Sequence, residues 1–292
     1  MRIATSAFAF LLLTGFAIAE GPLGKQPAYT SRQLSPLPNG QAVTRKFWLP
    51  GLEEGYVPQG VTFLNGRLFV SSYLSADPKQ DRGPCRLFMI EPETGRVLSR
   101  LDLPAQCGHA GGLTKGQRGN IIVADTRHLF EIEITKQKPD EFGRVLRVIA
   151  LVGKLKGSFA ASTSDAIWLG AYEREGEPKL FKIPWAALQQ PKISEAQATE
   201  AVALPLNAQG AAFDASNDLW VTRSGSKFGE LLKLDRKSGA VLLRYEMPIG
   251  VEDISFEPGG ALWSLSEAGS KRWNAWSAFY PLAFRVDVKL LK

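Results

Sequence analysis

The sequence is poor in the residues that bind soft metals. It has two cysteines, Cys85 and Cys107, and two histidines, His109 and His128. That argues against a Cys/His metal centre, and it leaves His109 as the only base available to a serine nucleophile. A Gly-x-Ser-x-Gly stretch is also missing, so the nucleophile elbow of a serine hydrolase is not encoded. Lys and Arg outnumber Asp and Glu by 35 to 29, but they are scattered, with no run of five or more. This pattern suits a mildly basic solvated surface and argues against nucleic acid as a partner. Beyond residue 19 no segment is apolar for the ~20 residues a membrane-spanning helix needs.

The first 19 residues have the form of a signal peptide. Arg2 is the charged start, residues 8–16 are apolar, and Ala17-Ile18-Ala19 is a small-x-small cleavage site. A membrane anchor is the alternative, but the apolar run is short for one. The expectation is a periplasmic or secreted protein with no transmembrane segment after removal of the signal. Residues 20–39, rich in Pro, Gly, Ser and Gln, read as a flexible leader. In an oxidising compartment Cys85 and Cys107 are expected to pair, two buried thiols being the alternative.

From residue 40 onward the chain repeats itself. Apolar strands recur at 67–73, 120–126, 166–172, 218–224 and 261–267, and each is followed by a second set at 86–90, 128–132, 179–183, 230–234 and 282–286. A period of 40 to 50 residues points to the blades of a β-propeller. Innermost strands rich in small residues precede them at 59–63, 111–115, 158–162, 209–213 and 252–256. Four outer strands follow their own blades. The fifth is supplied by residues 40–50, whose form matches 95–104, so the N-terminal strand is expected to complete the last blade and close the ring. The fold class is therefore all-β, a single propeller over 40–292. Five four-stranded blades are predicted, with six as the alternative.

Strand alternation sorts the loops onto two faces. Short turns with Gly and Asn fall on one, and long loops fall on the other, where binding is usually built. The second face gathers Gln59, Tyr73, His109, Asp125, Tyr172, Gln209, Arg223, Glu252, Asp253 and Glu267 around the axis. The loop 269–281 adds Trp273 and Trp276, flat surfaces with polar handles. Both cysteines lie on this face.

Three uses of this ring compete. Asp125, Glu252, Asp253 and Glu267, with Gln59 or Gln209 carbonyls, could hold Ca²⁺. Two carboxylates across the channel could act as acid and base, with Asp125 held ionised by Arg223 and Glu252 raised by Asp253; His109 is a further catalytic candidate. Or the aromatic loop and its cations could bind a ligand without chemistry.

The repeats, with Pro58-Gln59-Gly60 and Ala208-Gln209-Gly210-Ala211, loosely resemble exported propellers of the gluconolactonase-like, strictosidine-synthase-like and NHL-repeat group. That resemblance implies a catalytic ion held by a Glu, Asn and Asp set. This chain has Gln59 and Gln209 at matching positions and no Asn there, which counts against lactonase activity. The leading expectation is a module that binds a small polar or anionic ligand, such as a sugar. A metal-assisted or two-carboxylate hydrolase is the alternative, and a protein-interaction scaffold the third reading. No cofactor is firmly implied, and Ca²⁺ is the one candidate.

Overall fold

The computed structural model describes residues 21–135 and 140–292. The expected signal peptide at 1–19 lies outside them. Five sheets follow one another along the chain. Strands are named A to D from the axis outward. Blade I is Tyr56–Leu64, Arg67–Leu74, Cys85–Ile90 and Val97–Asp102. Blade II is Gly112–Lys115, Ile121–Asp125, His128–Ile134 and Phe142–Leu151. Blade III is Phe159–Ser162, Ala166–Gly170, Lys179–Pro184 and Glu200–Ala203, and blade IV is Ala208–Phe213, Leu219–Gly225, Phe228–Leu234 and Val241–Glu246. Blade V is Val251–Phe256, Leu262–Ser266 and Leu282–Val286, and its D strand is Val43–Trp48, paired antiparallel with Leu282–Val286. Each A strand contacts the A strand of the next blade, and the last contacts the first. The protein is a five-bladed β-propeller.

The residue pattern explains the layering. B strands are buried on both faces, and Ile121–Asp125 and Ala166–Gly170 are buried at every position. A sheet covered on both sides reads as a continuous apolar run. The core lies between blades: Phe69 and Leu87 of blade I meet Val123 and Phe130 of blade II, and Ile122 and Leu129 meet Ile167 and Ile183 of blade III. Each such side chain contributes roughly 1.5–3 kcal/mol by leaving water. Outer strands face solvent, as at Val241–Glu246. The A–B turn of blade I is Asn65-Gly66, both at positive φ, which a two-residue hairpin requires.

At the axis the A strands crowd. A Cβ on Gly112 would sit 2.5 Å from the Cα of Phe159, so only glycine lets blades II and III approach. Asp253 ties three blades together. Its Oδ2 accepts the amide N–H of Val61 at 3.1 Å and of Leu113 at 2.8 Å. Burial pushes this carboxyl up, and the amide donors act against that.

Two excursions add to the ring. Between the C and D strands of blade III, a turn of 3₁₀ helix (Trp185–Gln189) leads to a short strand, Lys192–Ile193. That strand pairs in parallel with the outer strand of blade II. At the start of the described chain, Leu23 bridges Phe47, and Tyr29 donates its hydroxyl hydrogen to the Gly269 carbonyl. Arg32 donates to the carbonyls of Asn274 and Ser277. The segment from 21 onward thus lies against the loop 269–281.

Replacing Asp253 with alanine leaves two buried amides without acceptors. The expected loss is roughly 2–5 kcal/mol, read as a lower urea midpoint with an unchanged slope.

Candidate functional site

The face carrying the long loops opens into a cavity of about 770 Å³. Three of the five A strands enter it through register breaks. In blade I the pairing runs Pro58 with Ser72, then Gly60 with Ser71, so Gln59 has no partner. In blade IV it runs Ala208 with Arg223, then Gly210 with Thr222, which leaves out Gln209. In blade V it runs Val251 with Ser266, then Ile254 with Ser264, which leaves out Glu252 and Asp253. A bulge re-aims the unpaired side chain. Gln59, Gln209 and Glu252 line the cavity as a result.

The floor is built on two carboxyls. Glu252 and Glu267 are both buried and hydrogen-bonded to each other. Gln209 Nε2 donates to Glu252 Oε1 at 3.0 Å. Gln59 Nε2 and the Trp273 indole N–H donate to Glu267 Oε2 at 2.9 and 2.7 Å. Burial first, and then the neighbouring carboxyls, push Glu252 well above the usual carboxylate range. Burial also raises Glu267, to about 7, against the pull of the Trp273 hydrogen bond and the Arg272 charge. Two like charges in contact cannot both persist without water. Glu252 therefore holds its proton more tightly than Glu267, which makes Glu252 the donor and Glu267 the acceptor of the bond between them.

An aromatic and cationic wall rises beside it. Trp273 and Trp276 stack with ring centres 4.7 Å apart. The buried Arg272 lies over Trp273 at 4.3 Å and donates to the Tyr73 hydroxyl. Tyr73 stacks on His109 at 4.5 Å, and burial raises its phenol. His109 Nδ1 lies 2.6 Å from the Asp81 carbonyl, which can only accept, so Nδ1 carries the hydrogen. Burial pushes the imidazole down, toward its neutral form. Lys79, Arg82, Lys156 and Arg174 complete the basic part of the lining. Arg82 pairs with Asp125 and Lys156 with Glu173, which leaves Lys79, Arg174 and Arg272 facing Asp81 and the Glu252–Glu267 pair.

The structure brings together Gln59, Tyr73, His109, Tyr172, Gln209, Glu252, Glu267, Trp273 and Trp276 around one cavity. Asp125, Asp253 and Arg223 lie outside its lining. Asp125 Oδ1 accepts three successive amides, from Gly108, His109 and Ala110, at 3.2, 2.6 and 3.1 Å. Those bonds hold Ala110 at φ +50°, a conformation costing about 1–2 kcal/mol. Asp125 thereby sets the loop that presents His109. Its cation is Arg82, at 3.4 Å, and not Arg223 as expected. Arg223 stands directly across from Glu230 in its own blade and pairs with it at 3.4 Å.

Cys85 and Cys107 form the disulfide. It joins the end of the 75–84 loop to the 107–110 turn, so Arg82 and His109 are held by the same bridge. Their sulfurs lie near Asp125, but sulfurs bonded to each other are not thiolate ligands. Asp125 gives Oδ1 to three amides and Asp253 gives Oδ2 to two, so of the acidic residues expected at the ring Glu252 and Glu267 are the ones that line the cavity. Arg82, Lys156 and Arg174 came from loops without periodicity. Loop length was a signal for Arg82 and Arg174, whereas the short 152–158 connection that carries Lys156 gave none.

No family model and no curated protein matches this chain. Solved structures do, and they are β-propellers. The glutaminyl cyclase of Myxococcus xanthus is similar with a TM-score of 0.55 and 14% identity, over 84% of this chain and 94% of that one. A luciferin-regenerating enzyme gives 0.49 and 10%, over 81% and 92%. The PQQ-bound aldose sugar dehydrogenase of Streptomyces coelicolor gives 0.43 and 15%, over 72% and 74%. At 14% identity the likeness to the glutaminyl cyclase is one of fold.

The carboxyl pair has a pH signature. Between the ordinary carboxylate range and about pH 7 the folded state retains a proton on Glu267 that the unfolded chain has lost. Stability is therefore greatest below that window and falls as pH rises through it. Glu267→Gln should flatten this fall, as read from melting temperatures at acid and neutral pH. Trp273→Phe removes a hydrogen bond that lowers the Glu267 pKa. It should move the titration, followed by carboxyl NMR shifts, to higher pH.

Proposed function

We propose that the protein is a hydrolase acting on a small, negatively charged ester or lactone, with Glu252 and Glu267 as its acid and base. The observation that carries this reading is the hydrogen-bonded carboxyl pair at the floor of an open polar cavity. Buried carboxyls with separated proton affinities, placed in a cleft, mark acid–base sites. Ionised Glu267 takes a proton from water, whose oxygen attacks the carbonyl carbon. Glu252 gives its proton to the departing alkoxide oxygen as the carbon–oxygen bond breaks. The proton on Glu267 then returns to Glu252 along their hydrogen bond, which restores the pair. The basic lining selects for an anionic group, and the indole faces of Trp273 and Trp276 suit a flat ring.

Glycoside hydrolysis fits less well. It needs carboxyls about 5–5.5 Å apart for retention, or about 6.5–9.5 Å for inversion. A hydrogen-bonded pair is closer than either. The enzyme names carried by several structurally similar propellers are compatible with catalysis on this scaffold, but a fold does not carry an activity. We also place the protein in the periplasm or outside the cell. The form of residues 1–19 and the disulfide support that location.

The test is a panel of anionic lactones and esters, with binding followed by calorimetry alongside turnover. Glu252→Gln should lower kcat by roughly 10²–10⁴-fold, the usual worth of a positioned acid, and leave KM within a few fold. Trp276→Ala should mainly raise KM. Tight binding without turnover, unchanged in Glu252→Gln, would identify a binding module. Stabilisation by Ca²⁺ that is lost in Glu252→Gln would identify the pair as a cation site.

A further inference from the structure

The channel has a second mouth, on the face of short turns. All five A strands end there, around a cavity of about 260 Å³. Its polar lining comes from Thr62, Thr114, Lys115, Ser162, Ser255, Asp214 and Glu257. Lys115 reaches across from blade II to blade V, where its Nζ donates to the Phe256 carbonyl at 3.3 Å. An ammonium has three hydrogens to donate, and no carboxylate among the described residues pairs with this one. Burial pushes its pKa down, and no neighbouring charge acts against that.

The two carboxylates of this mouth are committed elsewhere. Asp214 accepts from the amides of Ser216 and Asp218 and from the Trp220 indole. Glu257 accepts from the Trp263 indole and pairs with Arg285. What remains around Lys115 is hydroxyl. Thr114 Oγ1 donates to Ser162 Oγ at 2.9 Å, so the Ser162 proton remains to be given. Thr62 and Ser255 stand 3.5 Å apart, and Ser255 Oγ accepts the Phe63 amide.

We propose that this mouth is a binding site for a small oxyanion, seated on Lys115 and received by the hydroxyls of Ser162 and its neighbours. A half-buried cation whose one partner is a carbonyl has lost water without a compensating charge. An oxyanion supplies that charge, and it accepts from hydroxyls as well as from the ammonium. The size agrees: about 260 Å³ falls below the roughly 300–1,000 Å³ of sites for drug-sized ligands. A phosphate or a small carboxylate fits there. The site is separate from the carboxyl pair and does not depend on its chemistry.

Inorganic phosphate and acetate are the probes, at constant ionic strength with chloride as reference. The wild-type protein is treated with an amine-acylating reagent, and Lys115 modification is followed by peptide mass spectrometry. Phosphate at about ten times its Kd should slow that modification about tenfold by mass action. It should also raise the melting temperature of the wild type and of Glu267→Gln, but not of Lys115→Met. Protection by acetate as well would show that a carboxylate satisfies the site; protection by phosphate alone would show a preference for the phosphoryl group. Lys115 modification that neither anion slows would overturn the proposal, even if Lys115→Met fails to fold. An equal thermal response in a folded Lys115→Met would also overturn it.

Discussion

Five inner strands converge on one axis, and the space between them decides what each can carry. Where a neighbouring backbone is 2.5 Å from a would-be Cβ, as at Gly112, there is room for no side chain at all. Where a strand slips its register, a side chain escapes the crowd and points into the open mouth. Asp253 and Glu252 show both outcomes in adjacent residues. One is turned inward and gives its carboxylate to the amides of two other blades. The other is turned upward into the cavity. A single irregularity in blade V thus supplies both a structural tie and a candidate reactive group.

The chemistry of the upper mouth follows from how its polar groups are satisfied. Gln59 and Gln209 each spend an amide hydrogen on one of the paired carboxyls. The indole of Trp273 spends its hydrogen on the same oxygen of Glu267 as Gln59 does. These donors favour the ionised form of Glu267, and Glu252, left with fewer, keeps the proton. Arg272 is received in its buried position by Tyr73, the Pro78 carbonyl and two aromatic faces. The loop 269–281 is therefore both the wall of the cavity and a part of its charge balance.

Much of this arrangement could be read from the chain. The B and C strands declare themselves because burial on both faces demands continuous apolar runs. Gln59, Gln209, Glu252 and Glu267 could be placed at the mouth from strand direction alone. What strand direction cannot convey is which way a side chain turns at a bulge, and this is why Asp253 and Glu252 looked equivalent. It also misses cross-strand partners: Arg223 stands at the right height for the ring, but Glu230 opposite claims it. The loop cations Arg82 and Lys156 carry no periodic signal, and their positions depend on the disulfide and on contacts between blades. The insert at 185–197 was invisible for the same reason, since its strand pairs with a blade other than its own.

That insert changes how the ring can come apart. Neighbouring blades meet largely through side chains, which can separate gradually. Blades II and III are also joined through the backbone. The amides of Ala150 and Val152 donate to the carbonyls of Pro191 and Ile193, and Arg147 donates to the Leu188 carbonyl. The outer edge of blade II is thus covered by chain that belongs to blade III. If blade III opens, the edge of blade II loses its cover, and an uncovered strand edge is open to pairing with another chain. The two blades form one cooperative unit within a fold of otherwise similar modules, and local unfolding has a direction around the ring.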